Sequence, residues 1–245
     1  MLAACATFPY DQLLFFERDC ATCRLPKPAR SKHCAVCGRC IQMAEHHCIW
    51  LNNCVGLRNA RWFLGFLATF AVVCIYGAYL TATVVLELRH ALGLAGPAAR
   101  VWDDALGRPV ALSFRSSLLV VLDDRPLLAV LLVLLAVLAP AILFFAGYQL
   151  RIAMLGYTGN EETKWLNVAD AIEDGVVFAV RVADDPPREV FRVIEEEDQP
   201  GDPRPRRPIS HLRQVPNIYD RGAWQNLAFI LRPPPAPPGK AGHTD

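Results

Sequence analysis

Ten sulfur and nitrogen donors crowd into one short stretch of this chain: Cys20, Cys23, Cys34, Cys37, Cys40, Cys48 and Cys54, with His33, His46 and His47. Cys-x2-Cys pairs mixed with imidazoles are the donor sets of tetrahedral structural zinc sites. A disulfide framework would suit a small extracellular domain, whereas the flanking charge places this stretch in the cytosol, where thiols stay reduced and hold metal. Two zinc ions, each taking three thiolates and one imidazole, would consume six of the seven cysteines and two of the three histidines. One thiol and one imidazole are left over, and a free thiol beside a free imidazole in a metal-rigidified loop is what nucleophilic catalysis requires. The count does not say which pair is spare, and two zinc sites with one idle cysteine would satisfy it equally.

Elements long enough to hold such a stretch at a boundary follow it directly. Neither Trp62 to Leu86 nor Leu127 to Leu150 contains a charged residue or histidine, so each reaches the roughly 20 residues that span a bilayer core. Both read as transmembrane helices; the rival reading, buried helices of a soluble core, seldom needs two such runs in a chain of 245 residues. Pro140 interrupts the second run and predicts a kink, because neighbouring helices satisfy the freed carbonyl. Both runs lie inside the chain, unlike a cleaved signal peptide. Net charge is only +1, but Arg58 and Arg61 precede the first run and Arg151 follows the second, which places both termini in the cytosol. Arg89 and Arg125 near the ends of the connecting loop oppose this assignment in part.

The order Cys20-x2-Cys23-x9-His33-Cys34-x2-Cys37-x2-Cys40-x4-Glu45-His46-His47-Cys48-x5-Cys54 resembles the cysteine-rich domain of DHHC protein S-acyltransferases, the palmitoyltransferases. Its flanks are similar too: Lys27-Pro28-Ala29-Arg30-Ser31-Lys32 before His33, and Trp50-Leu51-Asn52-Asn53-Cys54-Val55-Gly56 after Cys48. The resemblance implies interleaved zinc sites, with Cys20, Cys23, His33 and Cys40 for one ion and Cys34, Cys37, His47 and Cys54 for the other. Cys48 and His46 are then the spare pair. Cys48 would attack a long-chain acyl-CoA to form a thioester, and His46 would deprotonate the acceptor cysteine of a membrane-associated protein. The bilayer and the apolar helices would hold the acyl chain, with Cys48 at the cytosolic membrane face.

Glu45 stands where that family has aspartate; it still orients an imidazole, but its extra methylene moves the carboxylate by about one carbon–carbon bond. Thr158-Gly159-Asn160-Glu161 resembles the family's Thr-Thr-x-Glu motif, with Gly159 in place of the second threonine. The longer Glu45 and the smaller Gly159 are expected to compensate each other in volume. Thr158 and Glu161 also have the spacing of a plain helix capping box. Pro216 to Asn226 is similar to the family's carboxy-terminal motif, in which Tyr219 and Asn226 would anchor the tail to the membrane helices. Asn160 to Trp165 is similar to fungal endomembrane members, which implies the endoplasmic reticulum or Golgi. Members usually carry four membrane helices, and residues 1–19 are too short and mixed to supply the missing pair, so the chain either lacks its amino-terminal part or is a reduced form.

The expected architecture is therefore an α-helical integral membrane protein with a small, irregular zinc-bound cysteine-rich domain on the cytosolic face. Its expected parts are an amino-terminal segment 1–19, the zinc domain 20–61, helices at 62–86 and 127–150, a lumenal loop 87–126 and a cytosolic tail 151–245. Cys74 reads as a packing residue of the first helix, and Cys5 as isolated, free or acylated. His90 and His211 read as surface or capping residues. Residues 184–208 mix acids, arginines and prolines, among them Glu195 to Asp198 and Pro203 to Pro208, and read as a solvated linker or disordered loop. Pro233 to Pro238 is a proline-rich tail. No internal repeat is apparent, no glycine loop cradles phosphate, and no nucleic-acid-reading finger is present. A catalytically silent zinc-bearing membrane scaffold of the same fold is the rival to the enzyme.

Overall fold

The computed structural model describes residues 8–96, 99–182, 188–194 and 206–235. Cys5, the runs Glu195 to Asp198 and Pro203 to Pro205, and the end of the proline tail lie outside the described residues. The chain divides into two compact units, one formed by residues up to Phe63 together with those from Gln149, the other by Leu64–Tyr148.

The first unit opens with the cysteine-rich stretch, which forms two antiparallel hairpins: β1 (Ser31–Cys34) with β2 (Arg39–Gln42), and β3 (His46–Cys48) with β4 (Asn53–Val55). Helix α1 (Ala60–Ala91) follows and continues into the second unit. That unit adds the hairpin β5 (Arg100–Asp103) and β6 (Arg108–Ala111), helix α2 (Phe114–Asp124) and most of α3 (Pro126–Met154). The loop expected between the membrane runs thus holds a hairpin and a helix. Ser113 caps α2, and Arg89 of α1 donates to Ser117 of α2 at 2.6 Å.

Helices α1 and α3 are both long and apolar enough to cross a membrane, and the most apolar window of α3 is only 6% buried. A soluble core helix would be mostly buried, so the pair fits a membrane protein. α3 runs through Pro140 without ending. The two helices approach closely at Gly77, where an added Cβ would lie 3.2 Å from Leu135. Cys74 is buried in α1, and His90 sits in its last turn.

After α3 the first unit resumes with α4 (Gly159–Glu173), strands β7 (Val177–Val182), β8 (Arg188–Val193) and β9 (Arg206–Pro208), and helix α5 (Ala223–Leu231). The strands form an antiparallel sheet in the order β8-β7-β9. For residues 188–193 and 206–208 this corrects the reading as a linker; the rest of 184–208 apart from Ile194 lies outside the described residues. Phe191 and Ile209 pack against the core cluster of α4 and β7, and Val190 is buried, so these strands have apolar anchors that the surrounding proline and charge content conceals. His211 precedes a short 3-10 turn, Leu212–Gln214, and its side chain makes no capping bond.

The core of this unit draws on both chain ends. Leu14 and Phe15 pack with Val168, Ile172, Val177 and Tyr219. Asp11 folds the amino-terminal segment by accepting from the N–H groups of Leu13, Leu14 and Phe15 at 2.7–3.1 Å. Lys164 of α4 donates to the Leu14 carbonyl at 3.1 Å and lies 3.7 Å from the centre of the Phe15 ring. Burial lowers its ammonium to about 8.

Candidate active site and metal centres

The structure gathers eight of the ten donors into two clusters, Cys20, Cys23, His33 and Cys40, and Cys34, Cys37, His47 and Cys54. Backbone register explains the grouping. His33 faces Cys40 across the first hairpin, and His47 faces Cys54 across the second. Each cross-strand pair is completed by the preceding Cys-x2-Cys turn. Successive residues of a strand point to opposite faces, so His33 and its neighbour Cys34 serve different clusters.

Both clusters have the dimensions of a tetrahedral metal site. Around zinc, bonds of about 2.3 Å to sulfur and 2.0 Å to nitrogen give donor separations of about 3.8 Å (S to S) and 3.5 Å (S to N). In the first cluster His33 Nδ1 lies 3.5, 3.2 and 4.0 Å from the sulfurs of Cys20, Cys23 and Cys40, and Cys23 Sγ lies 3.9 Å from Cys40 Sγ. In the second, His47 Nδ1 lies 3.7, 3.4 and 3.5 Å from Cys34, Cys37 and Cys54, and Cys37 Sγ lies 3.4 Å from Cys54 Sγ. The turns also favour thiolates. Cys23 N–H donates to Cys20 Sγ at 3.5 Å and brings that thiol down to about 6. Cys37 N–H, at 3.4 Å from Cys34 Sγ, likewise lowers Cys34.

The two clusters are copies of one design: each ligand of the second lies fourteen residues beyond its counterpart in the first. The sequence thus does carry an internal period, which the non-ligand residues hide.

Cys48 and His46 are the donors outside the clusters. They are two apart on β3 and share one of its faces, whereas His47 between them points to the other, where Cys54 lies. Cys48 is buried, and the residues after it, Ile49 and Trp50, are 75% and 87% exposed. The His46 ring packs edge-on to Phe63, with centroids 5.2 Å apart. Burial, and secondarily the adjacent His47, lowers the His46 imidazole from its usual range.

Glu45 sets the strand's entry. Its N–H donates to the Val55 carbonyl at 2.9 Å, and its Oε2 accepts the main-chain N–H of Gly159 at 2.8 Å, 114 residues away. Burial raises its carboxyl to about 7, against the lowering effect of that N–H. The contact between Glu45 and Gly159 is therefore one of reach rather than of volume alone. Shortening the side chain withdraws the carboxylate from the N–H, so, on the acyltransferase expectation, Glu45→Asp should lower transfer about tenfold or more. Gly159→Thr, which adds a hydroxyl toward the shortened acid, should recover part of that loss. Equal turnover of the single and double variants in a radiolabel assay would rule this out.

Gly159 is the first residue of α4, and the capping box read from the sequence is present there. Thr158 Oγ1 accepts from Glu161 N–H at 3.2 Å, and Glu161 Oε2 accepts from Thr158 N–H at 3.0 Å. Glu161 does more than cap: it is ion-paired to Arg30, a residue whose role the sequence did not reveal. Arg30 Nε donates to Glu161 Oε1 at 2.8 Å, and Nη2 donates to Oε2 and, at 2.9 Å, to the Gly156 carbonyl. The guanidinium stacks over Tyr219 with 4.7 Å to the ring centre, and the Tyr219 hydroxyl donates to the Pro9 carbonyl at 2.8 Å. Asn226 of α5 donates to the Met154 carbonyl at 2.9 Å, at the end of α3. Gly156 adopts φ +77°, and a Cβ there would lie 2.8 Å from Asn226 Nδ2, so this turn requires glycine.

Residues 15–166 match the family described as DHHC palmitoyltransferase. Palmitoyltransferase swf1 of Schizosaccharomyces pombe is 32% identical over 234 residues, covering 92% of this chain and 56% of the relative. Palmitoyltransferase SWF1 of Saccharomyces cerevisiae is 30% identical over 247 residues, covering 91% and 64%. Palmitoyltransferase ZDHHC4 of Rattus norvegicus is 44% identical over 82 residues, covering 33% and 24%. Two long apolar helices together with two four-donor clusters able to hold metal fit a membrane protein with a metal-binding domain. The chain belongs to the DHHC palmitoyltransferase family. It spans about three fifths of the length of the fungal relatives it matches.

Proposed function

We propose that this chain is a protein S-acyltransferase that carries a long-chain acyl group, palmitoyl, from acyl-CoA to cysteines of membrane-associated proteins. The carrying observation is that, of the seven cysteines in the metal segment, Cys48 alone stands outside the two four-donor clusters and shares a strand face with His46. Family membership supports the reaction class. The exposed Ile49, Trp50 and Leu51 beside Cys48 suit a lipid substrate.

In the first step the Cys48 thiolate attacks the acyl-CoA carbonyl, a new carbon–sulfur bond forms, and the bond to CoA sulfur breaks, releasing CoA thiolate to take up a proton. In the second, the acceptor cysteine passes its proton to His46 and its sulfur attacks the Cys48 thioester, which frees the Cys48 thiolate. His46 then returns the proton to solvent. Glu45 acts as a positioning residue, held by Gly159 N–H at the start of the strand that bears both groups. Cys20, Cys23, His33 and Cys40 would hold one zinc ion and Cys34, Cys37, His47 and Cys54 the second; bound zinc supplies the structural clamp on the hairpins. Both termini and the zinc domain face the cytosol, with Arg58, Arg61 and Arg151 at the membrane boundary of an endoplasmic reticulum or Golgi bilayer. Thr158, Glu161, Tyr219 and Asn226 support the site from the carboxy-terminal side.

The test is acyl loading. Purified protein incubated with radiolabelled palmitoyl-CoA should take up label that hydroxylamine releases, and Cys48→Ser should abolish it. A folded, zinc-replete parent that takes up no label would instead establish the silent scaffold.

A further inference from the structure

We infer that Leu51, by withholding the second thiol of its turn, keeps Cys48 from chelating metal and so keeps it available as a nucleophile. The fourteen-residue period that relates the two clusters does not stop at two. Cross-strand pairs recur at Asp19 with Pro26, His33 with Cys40, and His47 with Cys54, each fourteen residues beyond the last. Left-handed backbone recurs at the same interval, at Arg24 (φ +51°), Gly38 (φ +62°) and Asn52 (φ +45°). Non-glycine residues rarely adopt that conformation, so three copies in register mark one turn made three times. Its first sulfur is Cys20, then Cys34, then Cys48; its fourth position is Cys23, then Cys37, then Leu51.

Each metal cluster takes the Cys-x2-Cys turn of one copy and the cross-strand pair of the next. The third copy supplies its cross-strand pair, His47 and Cys54, to the second cluster, and its own turn has no successor. The positions that would complete a third cluster are Arg61 and Ala68, both inside α1. Cys48 is thus the leading thiol of a metal-binding turn whose other ligands are missing. Leu51 is the one missing ligand that lies within that turn. Packing does not demand a leucine there, because its side chain is 43% exposed at a tip it shares with Ile49 and Trp50. A second thiol at this position would convert a single sulfur into a chelating pair of the kind already used twice, and coordination would occupy the Cys48 sulfur.

The inference deepens the acyltransferase reading and rests on it only for Cys48 as nucleophile. Its test uses the full chain in detergent, kept reduced with a phosphine, equilibrated with zinc and then freed of loose metal. Leu51→Cys should retain one more zinc ion per chain than the parent and lose palmitoyl labelling. Adding Cys48→Ser to that variant should return the zinc content to the parent value, and Leu51→Ser should add none. A Leu51→Cys protein with parental zinc content and two reactive thiols would overturn the inference. An unlabelled parent, by contrast, would defeat the acyl-enzyme reading and leave the zinc result standing.

Discussion

Stripping the proposed zinc ions is expected to unfold the cysteine-rich hairpins and abolish the proposed acyl loading while leaving α1 and α3 helical. The hairpins are strands of three and four residues, and a two-stranded hairpin of that size is marginal in water. Few large apolar side chains from β1 to β4 enter the core cluster, whose members come from the amino-terminal segment, α4, β7 and the tail. Beside the Arg30 and Glu45 contacts and buried Val55, what holds the hairpins is the two donor clusters, and structural zinc in such sites contributes on the order of 10 kcal/mol. The membrane-length helices satisfy their own backbone bonds and do not need the ions. The clusters are also linked, since β1 gives His33 to one and Cys34 to the other. Cys23→Ser should consequently release its own ion and weaken retention of the second, and Cys37→Ser should do the same in reverse. Metal content read against helical circular dichroism checks this: a chelated protein that still loads palmitate would contradict it.

How far the site was legible from residue order follows from locality. Donors within 35 residues of one another, of rare type and at fixed gaps, announce metal, and uncharged runs announce membrane helices. The pairing of His33 with Cys40 and of His47 with Cys54 is local as well, because hairpin register sets it. The fourteen-residue period was hidden because Asp19, Pro26 and Leu51 occupy positions that carry ligands in other copies; the equal gaps between ligands would have exposed it. Arg30 reads only as a flank of the metal segment, since its partner Glu161 lies 131 residues on and no local pattern joins them. Strands β8 and β9 are masked by composition: prolines and charges dominate the segment, and the apolar residues of β8, Val190, Phe191 and Val193, do not alternate. Residues 8–19 looked mixed for a similar reason, although Leu14 and Phe15 enter the core.

The ion pair of Arg30 and Glu161 carries the second large expectation. Their side chains are 3% and 2% exposed, so both charges have left water and each depends on the other. Removing one partner strands the other, which typically costs about 3–5 kcal/mol. Glu161→Gln and Arg30→Ala are each expected to lower the thermal stability of the whole chain by that order. Arg30→Lys should recover little, because an ammonium cannot reproduce the two-pronged contact or the stacking over Tyr219. The double change Arg30→Met with Glu161→Leu separates charge from geometry. Elsewhere such apolar replacements are often neutral. Here Glu161 also accepts from Thr158 N–H, and Arg30 also donates to the Gly156 carbonyl, so the replacement leaves two main-chain groups unpaired at about 1–3 kcal/mol each. The double variant should therefore lose less than the two single changes added together, yet stay below the parent. Melting curves in detergent decide it, and a single substitution within about 1 kcal/mol of the parent would refute the assignment. The consequence reaches the chemistry through Gly159. Glu161 fixes the first turn of α4, and that turn aims the N–H at Glu45. Loss of the ion pair should thus depress transfer even in variants that remain folded at the assay temperature.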